Sequence, residues 1–415
     1  MAAKKPSKIT ITSYQVGFGD CYLLTFHYPK EDRHVLIDFG TKKQSKVKFK
    51  ADMKAIANCI KADCGGKLAM VVATHRHYDH ISGFATSKKG DGPGDIIRSC
   101  KPDLVVQPWT EDPDISKNAT GPAVAARAHV NSLSAMNVFA DALTANLDAL
   151  VDTTLDKTRD AVQELTFLGS DNITNRSAVE NLMAMAPKPR RKYLHLGSKL
   201  SVGAVLPGVK IRVLGPPTLE QNPDIKKYAN SSDEYWKLQA LAATPRAVKG
   251  GLGRLFRDGQ GRAPLSARWF AKRLKMMRAD SLLEIVRTLD DVMNNTSLIL
   301  LFEVGGKRLL FPGDAQLENW SAALRDPAVR KLLEDVDLFK VGHHGSLNAT
   351  PRHALWEGFK KRDKPSFQTL LSTRNGEYSN VPKASLLDAL THHSTLLSTE
   401  DFKKGELSRP VTVEL

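Results

Sequence analysis

The sequence predicts an α/β fold whose chemistry sits on loops at strand ends, and three stretches lead to that reading. Residues 8–40 run as a glycine-punctuated β-meander, after which strand and helix patterns alternate. The apolar run Leu68-Ala69-Met70-Val71-Val72-Ala73 leads into Thr74-His75-Arg76-His77-Tyr78-Asp79-His80-Ile81-Ser82-Gly83, which gathers three imidazoles and one carboxylate into residues 75–80. Two later apolar strands end in Gly313-Asp314 and in Gly342-His343-His344-Gly345. Sheets covered by helices are the architecture that such alternation requires.

In chain order, Ile9-Thr10-Ile11-Thr12 alternates apolar and polar residues as a half-buried strand does. Gln15-Val16-Gly17-Phe18-Gly19-Asp20-Cys21 makes a bend, residues 22–26 resume the strand, and His34-Val35-Leu36-Ile37-Asp38-Phe39-Gly40 follows. Met53, Ile56, Ala57 and Ile60 recur at helical spacing. His75 and His77, alternate residues of an extended segment, project to one side, and Asp79 and His80 turn back toward a second position. Neutral imidazole nitrogens and carboxylate oxygens are the donors that zinc and similar divalent ions take. With only 12 histidines in 415 residues, three in one loop point to a metal site. A helix over 95–98 and a strand over 104–107 complete a first core half, residues 8–112.

Residues 113–200 change pattern. Met136, Phe139, Ala140, Leu143, Leu147, Leu150, Val151 and Leu155 recur every three or four positions and predict a long amphipathic helix within a helical insertion. Core strands return over 201–218. A second helical insertion, 219–290, is basic at its centre, where Arg268, Lys272 and Arg273 stand beside Trp269 and Phe270. Arginine and lysine interleaved with aromatics suit phosphate contact and base stacking, against the plainer reading of a solvated helix face with aromatics turned inward. Residues 291–415 form the second core half, with strands at 294–302 and 307–311 and the segment Asp337-Leu338-Phe339-Lys340-Val341-Gly342-His343-His344-Gly345-Ser346.

Composition bounds the rest. Sixty Lys and Arg against 45 Asp and Glu give a formal charge of +15, an excess that favours polyanionic partners: nucleic acid or another phosphate-containing substrate. No apolar run approaches the ~20 residues of a membrane helix, and no signal-type segment follows Met1, so a cytoplasmic protein without a membrane partner is expected. The four cysteines, Cys21, Cys59, Cys64 and Cys100, fall at no metal or disulfide spacing and are expected as reduced thiols.

The H-x-H-x-D-H loop after a hydrophobic strand resembles the metal motif of metallo-β-lactamase-fold hydrolases. Val16-Gly17-Phe18-Gly19-Asp20, Ile37-Asp38-Phe39-Gly40 and Asp337 to Ser346 are similar to the branch containing the hydrolase domain of ComEC-type DNA-uptake proteins. The resemblance implies a four-layer αββα sandwich and a centre for two divalent ions, Zn2+ foremost with Mn2+ as the other choice. The implied ligands are His75, His77, Asp79, His80, a bridging Asp314, and one of His343 and His344, with His343 slightly preferred. Asp79 and Asp314 would be the catalytic carboxylates, Asp38 a hydrogen-bonding support, and Lys340, Ser346 and Asn380 donors toward substrate. The chain departs from the pattern at Asn380, where this branch carries a histidine, and shows no evident third histidine for the first ion; His129 and His195 are the candidates in between. The implied activity is hydrolysis, most directly of phosphodiester bonds in nucleic acid or a small molecule. Carboxylic ester or lactone hydrolysis, or a degenerate site in a nucleic-acid- or protein-binding module, are the alternatives.

Overall fold

A computed structural model describes residues 5–42, 49–112, 118–119, 125–126, 176–218, 220–222, 294–378 and 381–415. The chain divides into two compact units: one of residues 1–114, 175–222 and 293–415, the other of residues 115–174 and 223–292. Within the second unit the described residues form one antiparallel pair, Asn118–Ala119 with Ala125–Ala126. The amphipathic helix expected over 136–155 and the basic residues Arg268, Lys272 and Arg273 lie outside the described residues. Among those described, no helix is long and apolar enough to cross a membrane.

The first unit is mixed α/β and is built on two seven-stranded sheets. Its elements in chain order are β1 (Lys8–Tyr14), β2 (Cys21–His27), β3 (Arg33–Phe39), α1 (Met53–Asp63), β4 (Met70–Val72), α2 (Tyr78–Ile81), α3 (Pro93–Ser99), β5 (Leu104–Pro108), α4 (Arg176–Ala184), β6 (Arg191–Leu194), β7 (Lys199–Leu200), β8 (Val209–Gly215), β9 (Ile299–Val304), β10 (Lys307–Phe311), α5 (Leu317–Leu324), α6 (Pro327–Leu333), β11 (Leu338–Lys340), β12 (Gln368–Leu371), α7 (Ala384–His393), β13 (Thr395–Ser398) and β14 (Ser408–Glu414). The first sheet runs β14-β1-β2-β3-β4-β5-β6 and the second β13-β12-β11-β10-β9-β8-β7. Residues 175–200, expected in the insertion, instead supply α4 and β6 to this unit, with β6 pairing in parallel beside β5.

Three apolar cores organise these elements. Ile9, Leu24, Phe26, Val35 and Met70 of the first sheet pack with Ile211, Leu300, Phe302, Leu309 and Leu338 of the second. Val71 and Leu36 point to the other face of the first sheet, into a core with Ile56 and Ile60 of α1, Ile97 of α3 and Leu182 of α4. Leu301, Leu310 and Phe339 do the same on the second sheet, against Trp320 of α5, Leu333 of α6 and Leu390 of α7. Alternation at period two accounts for this: adjacent residues of one strand feed different cores, and strands buried on both faces read as continuous apolar runs.

Strand direction fixes where the loops go. β3 to β6 are parallel, as are β10 to β13, so each set delivers its C-terminal ends to one edge of its sheet. Asp38 ends β3, the histidine loop follows β4, Asp314 follows β10, and His343 and His344 follow β11. Open parallel sheets characteristically place ligand-binding groups at this edge. Leu298, just before β9, donates its N–H to the Thr74 carbonyl at 2.9 Å and joins the two edges.

Candidate metal centre

The histidine loop is held by its neighbours' backbone and by one carboxylate. Asp38 adopts φ 55°, a left-handed conformation that aspartate tolerates better than most residues. Its carboxylate accepts from the Thr74 N–H at 2.7 Å and the Thr74 hydroxyl at 2.7 Å, and faces His80 Nδ1 at 2.8 Å. The turn of α2 carries Asp79 and His80, and its inner side is lined by glycines. A Cβ on Gly40 would overlap the Asp79 carbonyl, and one on Gly19 would sit 2.6 Å from the same oxygen. Gly19 and Gly40 therefore admit the loop as close as backbone allows. Asp20 donates its N–H to the Asp79 carbonyl at 3.0 Å. Arg76, projecting between His75 and His77, is clamped by the buried Glu111 carboxylate at 2.9 and 3.0 Å through Nε.

The second sheet brings its groups by longer routes. Gly313, at φ 56°, turns the chain after β10 and would meet Thr74 Cβ at 2.8 Å if it carried a side chain. The Asp314 carboxylate accepts from the His343 N–H at 3.0 Å and lies 3.0 Å from His80 Nε2 and 3.5 Å from His344 Nε2. His343 and His344 both take left-handed backbone, φ 47° and 52°, ahead of Gly345 at 92°. This winding turns the His344 ring inward, where it is fully buried, with Nδ1 donating to the Ser372 carbonyl at 3.0 Å and Nε2 3.1 Å from Asp79.

One ligand atom each of His75, His80 and Asp314 lies within 4.8 Å of the others, and the same holds for Asp79, His80 and His344. The His77 ring packs edge-on to His75 at 4.6 Å between centroids. The hydrogen-bond network assigns the tautomers. Because the Thr74 hydroxyl donates to Asp38, it accepts from His75 Nδ1 at 3.2 Å, leaving a lone pair on His75 Nε2, a buried atom with no hydrogen-bond partner. His80 and His344 likewise commit Nδ1 to an outer oxygen and turn Nε2 to the carboxylates. Metal-ligating histidines are held in this way, by a bond through the other ring nitrogen.

The electrostatics fit a cation site as well. Of the four buried or part-buried carboxylates Asp20, Asp38, Asp79 and Asp314, Lys340 pairs with Asp20 and Asp314. Burial pushes the His75 imidazole well below its ordinary range, with the nearby His80 and His77 adding to the effect, so it is neutral and able to donate its lone pair. Burial alone would also lower His80, but Asp314, Asp38 and Asp20 outweigh it and hold the ring well above the ordinary value. His344 follows the same balance through Asp314 and Asp79. Against its burial, Asp314 is held ionised by His80 and Lys340. The carboxylates thus favour positive charge on His80 and His344, a charge that divalent ions supply at such donor sets.

The structure therefore brings together His75, Asp79, His80, Asp314 and His344, with Asp38 as support; His77 joins no ligand group and packs its ring on His75. His343 contributes its backbone N–H to Asp314, and its ring joins none of the ligand groups, whereas the His344 ring does. Lys340 is buried, its Nζ meeting the Gly313 carbonyl, Asp314 and Asp20. The Ser346 hydroxyl donates to Asn348 at 2.7 Å. His195 bonds its own neighbourhood, Nδ1 to the Leu196 carbonyl at 2.9 Å, and joins no ligand group. His129 and Asn380 lie outside the described residues. Asp20 was missed by sequence reasoning: it reads as part of a bend, and the one available signal was an acidic residue between a glycine and a largely apolar strand. Compared with known proteins, the sequence matches no family model and no curated protein.

Proposed function

We propose that this protein is a metal-dependent hydrolase of the metallo-β-lactamase fold, in the ComEC-like branch, acting on phosphodiester bonds. The observation that carries the reading is the convergence of His75, His80 and Asp314 with Asp79 and His344 at one edge of two facing sheets. The order of helices, sheet, sheet and helices supports the four-layer αββα form. His75 and His77 with Asp314 would hold one divalent ion, and Asp79, His80 and His344 with Asp314 the other. Such ions, Zn2+ or Mn2+, would supply Lewis acidity and lower the pKa of water from ~15.7 toward ~7.

The chain's own groups do the rest. Asp38 and the Ser372 carbonyl fix the rings of His80 and His344, so both present Nε2 without reorganisation. Asp79, the least buried carboxylate of the set at 18% side-chain exposure, is placed to accept a proton from an attacking water and to orient it. The +15 charge favours an anionic substrate over a neutral ester or lactone.

The test is cleavage of labelled single-stranded DNA, duplex DNA, RNA and a small phosphodiester by chelator-stripped protein reloaded with Zn2+ or Mn2+. Metal-dependent cutting that Asp79→Ala and Asp314→Ala each lower by at least ~10³-fold is expected, since each removes a metal-contacting carboxylate. Full activity in both variants would sink the assignment. Reversing the charges of Arg268, Lys272 and Arg273 should flatten the salt dependence of nucleic-acid binding; an unchanged slope would mark those residues as solvated surface.

A further inference from the structure

A buried ion pair crosses between the sheets behind the metal centre. Lys340, at the end of β11, is 2% exposed; its Nζ donates to the Gly313 carbonyl at 3.0 Å, lies 3.3 Å from Asp314 Oδ1, and pairs with Asp20 Oδ2. Asp20 opens β2 in the other sheet and is 1% exposed. Three acceptors occupy the three N–H groups of the ammonium, which leaves none for a substrate. The Asp20 backbone meanwhile holds the Asp79 carbonyl, and the Gly19 carbonyl accepts from the Ser372 hydroxyl at 2.5 Å, the residue whose own carbonyl fixes His344. Residues 19–20 thus touch the histidine loop and both carriers of second-sheet ligands.

We propose that Asp20 and Lys340 are a positioning pair that sets Asp314 at the distance from the histidine loop which two-ion binding needs. The inference rests on the metal-centre reading and assigns these two residues a role in it. With Asp20 neutralised, the buried ammonium keeps Asp314 as its one carboxylate and competes with ions for it. With Lys340 neutralised, Asp20 faces Asp314 as an uncompensated like charge. A buried pair is costly to break from one side and far less so to remove whole.

Wild type, Asp20→Asn, Lys340→Met and the double variant would be loaded with Zn2+ and gel-filtered. Bound zinc is then counted, affinity measured against a chromophoric chelator, and folding checked by circular dichroism and thermal melting. Two equivalents are expected in wild type, with a 10- to 100-fold affinity loss in each single variant. The double variant should lose no more than the worse single one, because the pair acts as a unit. Wild-type affinity in both single variants, or losses that multiply in the double, overturns the pair's role. A wild type that binds no zinc instead overturns the metal-centre reading. Should Asp20→Asn not fold, Asp20→Glu, which keeps the charge on a longer arm, reads the same quantity: weakened binding is expected, and unchanged affinity overturns the proposal.

Discussion

The two sheets contribute to the centre in different ways. The first supplies His75, His77, Asp79 and His80 from one loop after one strand, braced by glycine contacts and by Asp38. The second supplies Asp314 and His344 from the ends of two strands, with left-handed backbone at His343 and His344 turning the second ring inward. Short-range spacing builds one half of the site, and strand order and backbone conformation build the other. A loop of that density is set by adjacent residues, whereas a candidate ligand such as His344 is set by what surrounds its backbone.

Substitutions can break each half separately. The largest effect is expected at Gly40: Gly40→Val would drive a branched side chain into the Asp79 carbonyl, and loss of zinc binding together with a steep fall in thermal stability should follow. Wild-type melting and two bound ions would mean that the loop is not braced by this contact. Next come the paired histidines. His344→Asn should remove one ion's worth of zinc and lower activity at least ~10²-fold, whereas His343→Asn, with a residue that tolerates left-handed φ, should keep both ions. The reverse pattern would give the ligand role back to His343. Between the sheets, Phe302→Ala should cost ~3–5 kcal/mol by denaturant titration while leaving the metal stoichiometry of the folded fraction intact. A drop in zinc count there would show that sheet docking tunes the centre.

The smallest effect concerns pH. Tyr28, just past β2, donates its hydroxyl to the Pro207 carbonyl at 2.9 Å, and burial pushes its phenol up to about 12. Because the folded value lies above the ordinary ~10, what this group contributes is complete below pH 10 and is lost as pH rises through 12. Being only partly buried, the phenol carries a modest share. Tyr28→Phe should make the alkaline loss of stability shallower, and an unchanged alkaline limb would assign that loss to other groups.

The legible parts of this chain were those with short-range signatures. The histidine loop, the strand ends at Asp38 and Asp314, and the α/β alternation all follow from apolar periodicity and a few fixed spacings. His343 and His344 are not told apart by sequence because adjacent positions share composition and differ only in where the backbone points them. Lys340 was read toward substrate because sequence gives its charge and not its neighbours; Asp20, its partner, stands 320 residues earlier. Helix α4 and strand β6 were lost inside an insertion because a helical period does not say which body a helix packs on.

Drawing ligands from both sheets has a consequence for the life of the protein. An ion that needs both sheets in place binds the folded chain and not the unfolded one, so its concentration enters the unfolding equilibrium directly. Free metal at a hundred times its dissociation constant would add about 2.7 kcal/mol to the stability of the fold. Metal supply would then govern how much of this protein persists as well as how fast it works, and starvation for the ion would be read out as turnover.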